Sequence, residues 1–415
     1  MPVTIGDLIE PYGRRLSERG SLSQSESLFP PPLDPAKLTE REPLSYAYRP
    51  AAAVPHTAEF VFTEFRNGHN HLSDLYGDCP ASAYVEMPVS AWINPRRAIA
   101  YLEASLLPSV RGVFLITLDP FSRTEHGAAA LIEGISRWRI PTVAIQHRLP
   151  ETAEQHRILA EVAKHLHCVI GLGDEVVSHL KGHCHLTNVA KLPLHPPDFR
   201  YVVPGHADHT RMMMGADRSH VVFGIIGDAR EGKGIDLTLA ALDYLSTSVR
   251  EAVFFLIAGR AREHDPDAII DRFAARGIAA RVDLRRSRDP TLYTVLTTLE
   301  YADAIAATDF GLLLYQGAQR NAMSGALSNF VWQRKRILAT RDSFVGTEVA
   351  RHDLGFTLDL ETAEALAKLI TEAVALRQAR TELSMKFEAY RSAISPDSTL
   401  SAVETLLRST PDVLR

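Results

Sequence analysis

The chain has 415 residues, too many for one ordinary hydrophobic core, so two domains are the default expectation. With 46% hydrophobic and 23% charged residues it has a globular composition, which excludes wholesale disorder. A formal net charge of −5 with interspersed basic and acidic residues argues against a nucleic-acid binder, and no uninterrupted apolar stretch reaches bilayer-spanning length.

Cys79, Cys168 and Cys184 are the only cysteines, too few and too scattered for a disulfide framework. The opening MPVTIGDLIEPYGRR has no basic segment followed by an apolar one. A cytoplasmic location is therefore expected.

In chain order, residues 1–55 are rich in Ser, Pro and charge, which forbids long helices or central strands and reads as an irregular extension. Residues 56–205 carry short apolar runs (AEFVFTEF, ASAYVEM, GVFLITL, PTVAIQH, CVIGLG) with the look of strands buried on both faces. AALIEGISRW, between two of them, has helical spacing, and strand, helix, strand in that order predicts a parallel sheet. Residues 206–219, polar with three consecutive methionines, read as an interdomain linker. The alternation restarts over 220–390: HVVFGIIG, AVFFLIAG, ARVDL, DFGLLLY and RILAT are strands, the segments between them helices, and Glu361 to Tyr390 a final helical run. Residues 391–415 are expected as a C-terminal helix packing back on the first domain. The fold class is α/β, with two Rossmann-like domains.

In open α/β sheets ligands gather beyond the carboxyl ends of the strands. The loop in FGIIGDAREGKGIDLTLAAL leaves a strand at Gly227, passes Gly232 and Gly234, and enters a helix; Arg230 and Lys233 supply charge. Its natural tenant is a diphosphate. It is neither a Walker A loop nor Gly-x-Gly-x-x-Gly, which weakens ATPase and dehydrogenase readings. A second loop, LLLYQGAQRNAMSGALSNF, places Ser324 and Gly325 at a helix start with Tyr315 and Arg320 nearby. Taken alone, each of these loops is equally compatible with a structural turn or an ordinary helix cap.

Together and in order, these segments resemble the large retaining glycosyltransferase family of the GT-B fold, which includes sucrose synthases and many bacterial polysaccharide glycosyltransferases. The resemblance runs from about Gly112 to Leu360 and is strongest from Phe223 to Thr340. It implies two Rossmann-like domains facing each other across a cleft, with a nucleoside-diphosphate sugar held by the C-terminal one. Arg230 and Lys233 would then bind the diphosphate and neutralise the leaving group, and Ser324, Gly325 and Ala326 would add N–H contacts. Residues near Gly259, Arg260 and Leu284 would flank the base, and His147, ending IPTVAIQH, would stand beside the sugar. Many members carry two glutamates eight residues apart in the donor segment; here Asn321 and Asn329 occupy those places. Asn329 retains the capacity to bond a ribose hydroxyl, whereas Asn321 cannot supply a negative charge.

The resemblance implies sugar transfer to a glycan, lipid-linked or small-molecule acceptor, with retention of configuration, no metal and no cofactor beyond the sugar nucleotide. Two alternatives stay open: a non-catalytic binding subunit on the same fold, motivated by the two asparagines, and a sugar-nucleotide epimerase.

Several other groups invite attention. In HLHC (His165, His167, Cys168) and HCH (His183, Cys184, His185), His165 with His167, or His183 with His185, would share a face if they lay on strands, but the spacing fits no zinc motif, so no metal site is expected there. Asp119 and His126, and Arg66, Asn67, His69 and His71, follow strands and are candidate acceptor contacts; for each, a solvated loop residue is the stronger reading. The basic pair Arg96 and Arg97 is the one candidate for peripheral membrane contact.

Overall fold

The computed structural model describes residues 59–409, apart from 66–81, 88–93, 105, 107, 148, 151, 193–205, 287–295, 297, 322–323 and 379–381. Within them lie two six-stranded sheets. The first comprises β1 (Phe60–Phe65), β2 (Ser82–Met87), β3 (Gly112–Leu115), β4 (Thr142–Gln146), β5 (Cys168–Leu172) and β6 (Val189–Leu192). Their order is β2-β1-β3-β4-β5-β6 and every pairing is parallel. Each residue of β3, β4 and β5 is buried, because helices cover both faces of a parallel sheet, and this is why these strands are written as continuous apolar runs.

Helix ends follow local chemistry. The Glu125–Trp138 helix starts at Thr124, whose side chain accepts from Gly127 N–H, and ends at Arg139 in the left-handed conformation. The Ala153–Ala163 helix is capped in the same way by Thr152, which accepts from Gln155 N–H.

The second sheet comprises β7 (Val221–Ala229), β8 (Val253–Ala261), β9 (Ala279–Arg285), β10 (Phe310–Leu313), β11 (Arg336–Thr340) and β12 (Gly355–Leu358). Its order is β12-β11-β10-β7-β8-β9, again all parallel. Chain order runs outward from β7 in one direction and from β10 in the other, so strand order reverses between these two strands. That reversal is the topological switch point at which doubly wound sheets bind ligands. Phe223 of β7 stacks against Phe255 of β8 and Phe310 of β10, with ring centroids 5.6 and 5.4 Å apart, and so ties the centre of the sheet to its core.

Two segments depart from the sequence expectation. Residues His206–Met214, inside the expected linker, form a helix. Its Arg211 is buried, donates from Nε to the Ala307 carbonyl at 2.8 Å and pairs with Asp309, so tertiary contacts stabilise a helix that propensity alone does not announce. The expected helical run to Tyr390 is two helices, Ala363–Gln378 and Met385–Ala393, the second starting at Ser384, which accepts from Phe387 N–H. The domain boundary drawn after residue 390 therefore falls inside a helix. A further helix, Pro396–Arg408, lies against β3 and β4 of the first sheet. Its Arg408 sits 4.7 Å above the Phe60 ring and pairs with Glu59 at 3.1 Å. Among the described residues, no helix is long and apolar enough to cross a membrane.

The Phe344–His352 helix of the second half also touches the first. Phe344 packs against the first hydrophobic cluster, and Arg351 reaches Asp174 at 2.9 Å and Glu175 at 2.7 Å. Beside Arg351, Glu348 has its carboxyl pushed up to about 7, first by burial and then by Glu175. A carboxyl with a raised folded-state pKa stabilises the fold below its ordinary range, and that contribution is lost as pH rises through about 7. Glu348→Gln should therefore raise the melting temperature at pH 8 by a few degrees, at about 2–4 °C per kcal/mol, and leave it nearly unchanged at pH 4. Thermal melts at the two pH values check this, and equal shifts at both would contradict it.

Candidate functional site

The site is built at the reversal between β7 and β10, from the loop that follows each strand. After β7 the chain turns through Arg230–Gly234 and enters the Ile235–Ala241 helix. Gly232 has φ +76° and Gly234 φ +83°, both in the left-handed region. A Cβ at Gly232 would lie 2.8 Å from the Gln316 carbonyl oxygen, and one at Gly234 would lie 2.4 Å from Leu314 Cβ. The absent side chains let this loop lie directly on the one after β10, where Gln316 N–H donates to the Gly232 carbonyl at 2.9 Å.

That contact brings the two sequence motifs together. Lys233 Nζ sits 3.8 Å above the Tyr315 ring, and the Tyr315 hydroxyl is 2.5 Å from Ser324 Oγ. Ser324 is the N-cap of the Gly325–Trp332 helix, but its hydroxyl makes no capping bond because it is engaged with Tyr315. Gly325 and Ala326 occupy the first turn, whose N–H groups have no carbonyl partner within the helix. Arg320 lies in the 3-10 turn Gly317–Asn321 and donates from Nη2 to Glu361 at 2.5 Å; Gln316 Nε2 donates to the other Glu361 oxygen at 3.2 Å.

Arg230 and Lys233 differ from the other cations here. Among the described residues, neither has a carboxylate within salt-bridge distance, and Arg230 Nε is buried with no hydrogen-bond partner. Arg320 Nε is in the same state, although Nη2 is paired. A buried cationic N–H without a partner is costly and marks a place that an anion would complete.

The base-flanking candidates have other engagements. Arg260 is 5% exposed and donates from Nε and Nη2 to the two oxygens of Asp228, at 3.0 and 2.9 Å. Gly259 lies in register with Gly227 across β7 and β8, where the backbones approach closely. Leu284 is buried in the hydrophobic core of the second half. Asn329 is fully buried one turn into its helix, while Asn321 is exposed.

On the first sheet, His147 Nε2 is 2.7 Å from the Ile116 carbonyl, which pins the end of β4 to the end of β3. Asp119 is buried and accepts from Gln146 Nε2 at 3.1 Å, and Gln146 in turn accepts from Ser122 Oγ. His126 is exposed in the first turn of its helix, and Arg96 and Arg97 are exposed in theirs. Arg66, Asn67, His69, His71 and Cys79 lie outside the described residues. His165 and His167 precede β5 and do not belong to it, and His183, Cys184 and His185 follow a helix, so the shared-face argument applies to neither set. Sequence reasoning missed Glu361, which accepts from both Arg320 and Gln316. Glu361 is 41 residues from Arg320, and no local pattern links them.

The chain matches no protein-family profile and no curated protein. Solved structures do resemble it. Sucrose-phosphate synthase from Thermosynechococcus elongatus superposes with a TM-score of 0.61 at 10% identity, over 85% of this chain and 100% of that one. Anabaena HepE, crystallised with UDP and glucose, gives 0.59 at 12% identity over 85% and 100%. A glycosyltransferase from Rickettsia africae gives 0.58 at 11% identity, again over 85% and 100%. The fold is thus that of the GT-B glycosyltransferases, two parallel-sheet domains in one chain.

Proposed function

We propose that the protein transfers a sugar from a nucleoside diphosphate to a hydroxyl acceptor. The observation that carries this is the pair Arg230 and Lys233 at the switch point of the second sheet, with no carboxylate partner among the described residues and with Arg230 Nε buried and unpaired. The neighbours support the reading: HepE was crystallised with UDP and glucose, and WaaG, a further structural neighbour at a TM-score of 0.51, is a glycosyltransferase of lipopolysaccharide biosynthesis.

In this reaction the bond from the anomeric carbon to the diphosphate oxygen breaks and a bond to the acceptor oxygen forms. The acceptor proton passes to the departing phosphate, and negative charge grows on the diphosphate. Arg230, Lys233 and the first-turn N–H groups of Gly325 and Ala326 would meet that charge in a preorganised setting, where such donors act most strongly. Protein cations do what a divalent ion would otherwise do, so transfer is proposed to be metal-independent. It is also proposed to retain configuration, as in the family the sequence resembles. Glu361, by holding Arg320 and Gln316, keeps the second loop in place for the phosphate.

UDP is the nucleotide to test first, beside GDP, ADP and dTDP. A melting-temperature rise with one nucleotide, unchanged by EDTA and lost in Arg230→Ala/Lys233→Ala, is the expected result. No rise with any of the four would remove the basis of the proposal. The asparagines at 321 and 329 favour a second reading, a subunit that binds the donor without turning it over. Nucleotide binding with no UDP release against glycan, lipid-linked and small-molecule acceptors would select it.

A further inference from the structure

In the first half of the chain, far in sequence from both loops of the proposed donor site, His156, His179 and Cys184 converge. Their ligand atoms all lie within 4.8 Å of one another. His156 is in the first turns of the Ala153–Ala163 helix, His179 is near the end of the Gly173–Gly182 helix, and Cys184 follows that helix. Cys184 is a free, buried thiol, and both imidazoles are partly exposed.

Three features distinguish this from a chance meeting of side chains. His156 Nδ1 is 2.8 Å from the Thr152 carbonyl oxygen, which can only accept, so the ring proton is on Nδ1 and the Nε2 lone pair is free. An imidazole that donates through one nitrogen to a backbone carbonyl is oriented as a metal-binding histidine is, with the other nitrogen presented. That Nε2 is 3.3 Å from His179 Nε2. Two nitrogens each about 2.0–2.1 Å from one tetrahedral zinc ion stand roughly 3.3 Å apart, so the rings already have the spacing of two ligands. Finally, the third member is a thiol. A hydrogen bond between the two imidazoles would account for the rings alone, whereas a soft sulfur beside two nitrogens is a donor set that suits a late transition metal such as zinc.

We propose that His156, His179 and Cys184 form a zinc site, with water in the fourth position, that staples the Ala153–Ala163 helix to the end of the Gly173–Gly182 helix. Binding forms two Zn–N bonds and one Zn–S bond, and the Cys184 thiol proton passes to solvent. Because binding displaces the thiol proton, affinity rises with pH. The sulfur must close by on the order of 1 Å to reach a Zn–S distance of about 2.3 Å. The site lies on different elements from the donor loops, and it is proposed as structural, with no part in sugar transfer.

Metal-free full-length protein titrated with Co²⁺ and then Zn²⁺ tests this. One equivalent of Co²⁺ should bind with the near-ultraviolet thiolate-to-cobalt band, Zn²⁺ should displace it stoichiometrically, and saturating Zn²⁺ should raise the melting temperature. Cys184→Ser should abolish the band. His156→Gln and His179→Gln should each weaken Zn²⁺ binding at least about 10-fold, the range already reached when only an outer-shell partner is lost. His185→Gln should match the wild type. Should Cys184→Ser fail to fold, the two histidine variants carry the test alone. Absence of a thiolate band, or Zn²⁺ affinity indifferent to both His156→Gln and His179→Gln, overturns the proposal.

Discussion

Replacing Lys233 or Arg230 by alanine is expected to lower kcat/KM for sugar transfer by about 10²–10³, the range seen when one preorganised donor to a developing oxyanion is removed. Stability should hardly change. Among the described residues, Lys233 makes a contact over the Tyr315 ring at 3.8 Å, worth on the order of 0.5–1 kcal/mol at such a site. Arg230 Nε is unpaired and buried, so removing the side chain relieves a desolvation cost as it removes the anion partner. The two side chains act on one charge, so the double variant should lose less than the product of the single losses. Nucleoside diphosphate release measured beside thermal melts separates the two effects. Single variants within about twofold of wild-type kcat/KM would exclude this site as the seat of leaving-group stabilisation.

The largest stability effect is expected at Gly259. It pairs in register with Gly227 across β7 and β8, and its φ is +139°. A Cβ built there falls 1.8 Å from the Gly227 carbonyl oxygen, inside any permissible contact, and the obstacle is backbone, not a side chain that can swing away. Gly259→Ala should therefore part the two strands at the centre of the sheet, with a cost above about 4 kcal/mol, in the range reserved for outright backbone or core disruption. Gly227→Ala is the matched control. Its φ is +126°, yet a Cβ there meets nothing within 4 Å, so only conformational strain of roughly 1–2 kcal/mol applies. Urea unfolding of the pair should show a folded, weakened Gly227→Ala and little folded Gly259→Ala; equal stabilities would refute the steric account.

How much of this was legible in the sequence depends on how local each cause is. The central strands were readable because a strand buried on both faces is written as a near-continuous apolar run, as GVFL and VFFLIAG are and as TVAIQ is between its two polar ends. The glycines and cations after β7 were readable because close backbone approach and anion binding both leave compositional marks. The His206–Met214 helix was not, since its support is a buried arginine bonded to a carbonyl and a carboxylate almost a hundred residues away. Ser384 was a readable stop and start, with a side chain that caps Phe387 N–H, but the helical spacing on either side masked it. Ser324 shows the opposite failure. A serine before a helix reads as a cap, and here its hydroxyl is diverted to a tyrosine nine residues earlier. The meeting of His156 with His179 depends on how two helices lie beside one sheet, which no spacing rule encodes.

The return of the Pro396–Arg408 helix to the first sheet has a consequence for biosynthesis. Multidomain chains ordinarily finish their N-terminal domain while the remainder is still on the ribosome. Here the contacts of the helix with β3 and β4, and those of Arg408 with the Phe60 ring and Glu59, cannot form until the entire second sheet has been translated. The first half therefore completes its contacts only with a piece of chain that emerges after the second half. Maturation of this protein is a circuit that closes when the Pro396–Arg408 helix returns to the first sheet.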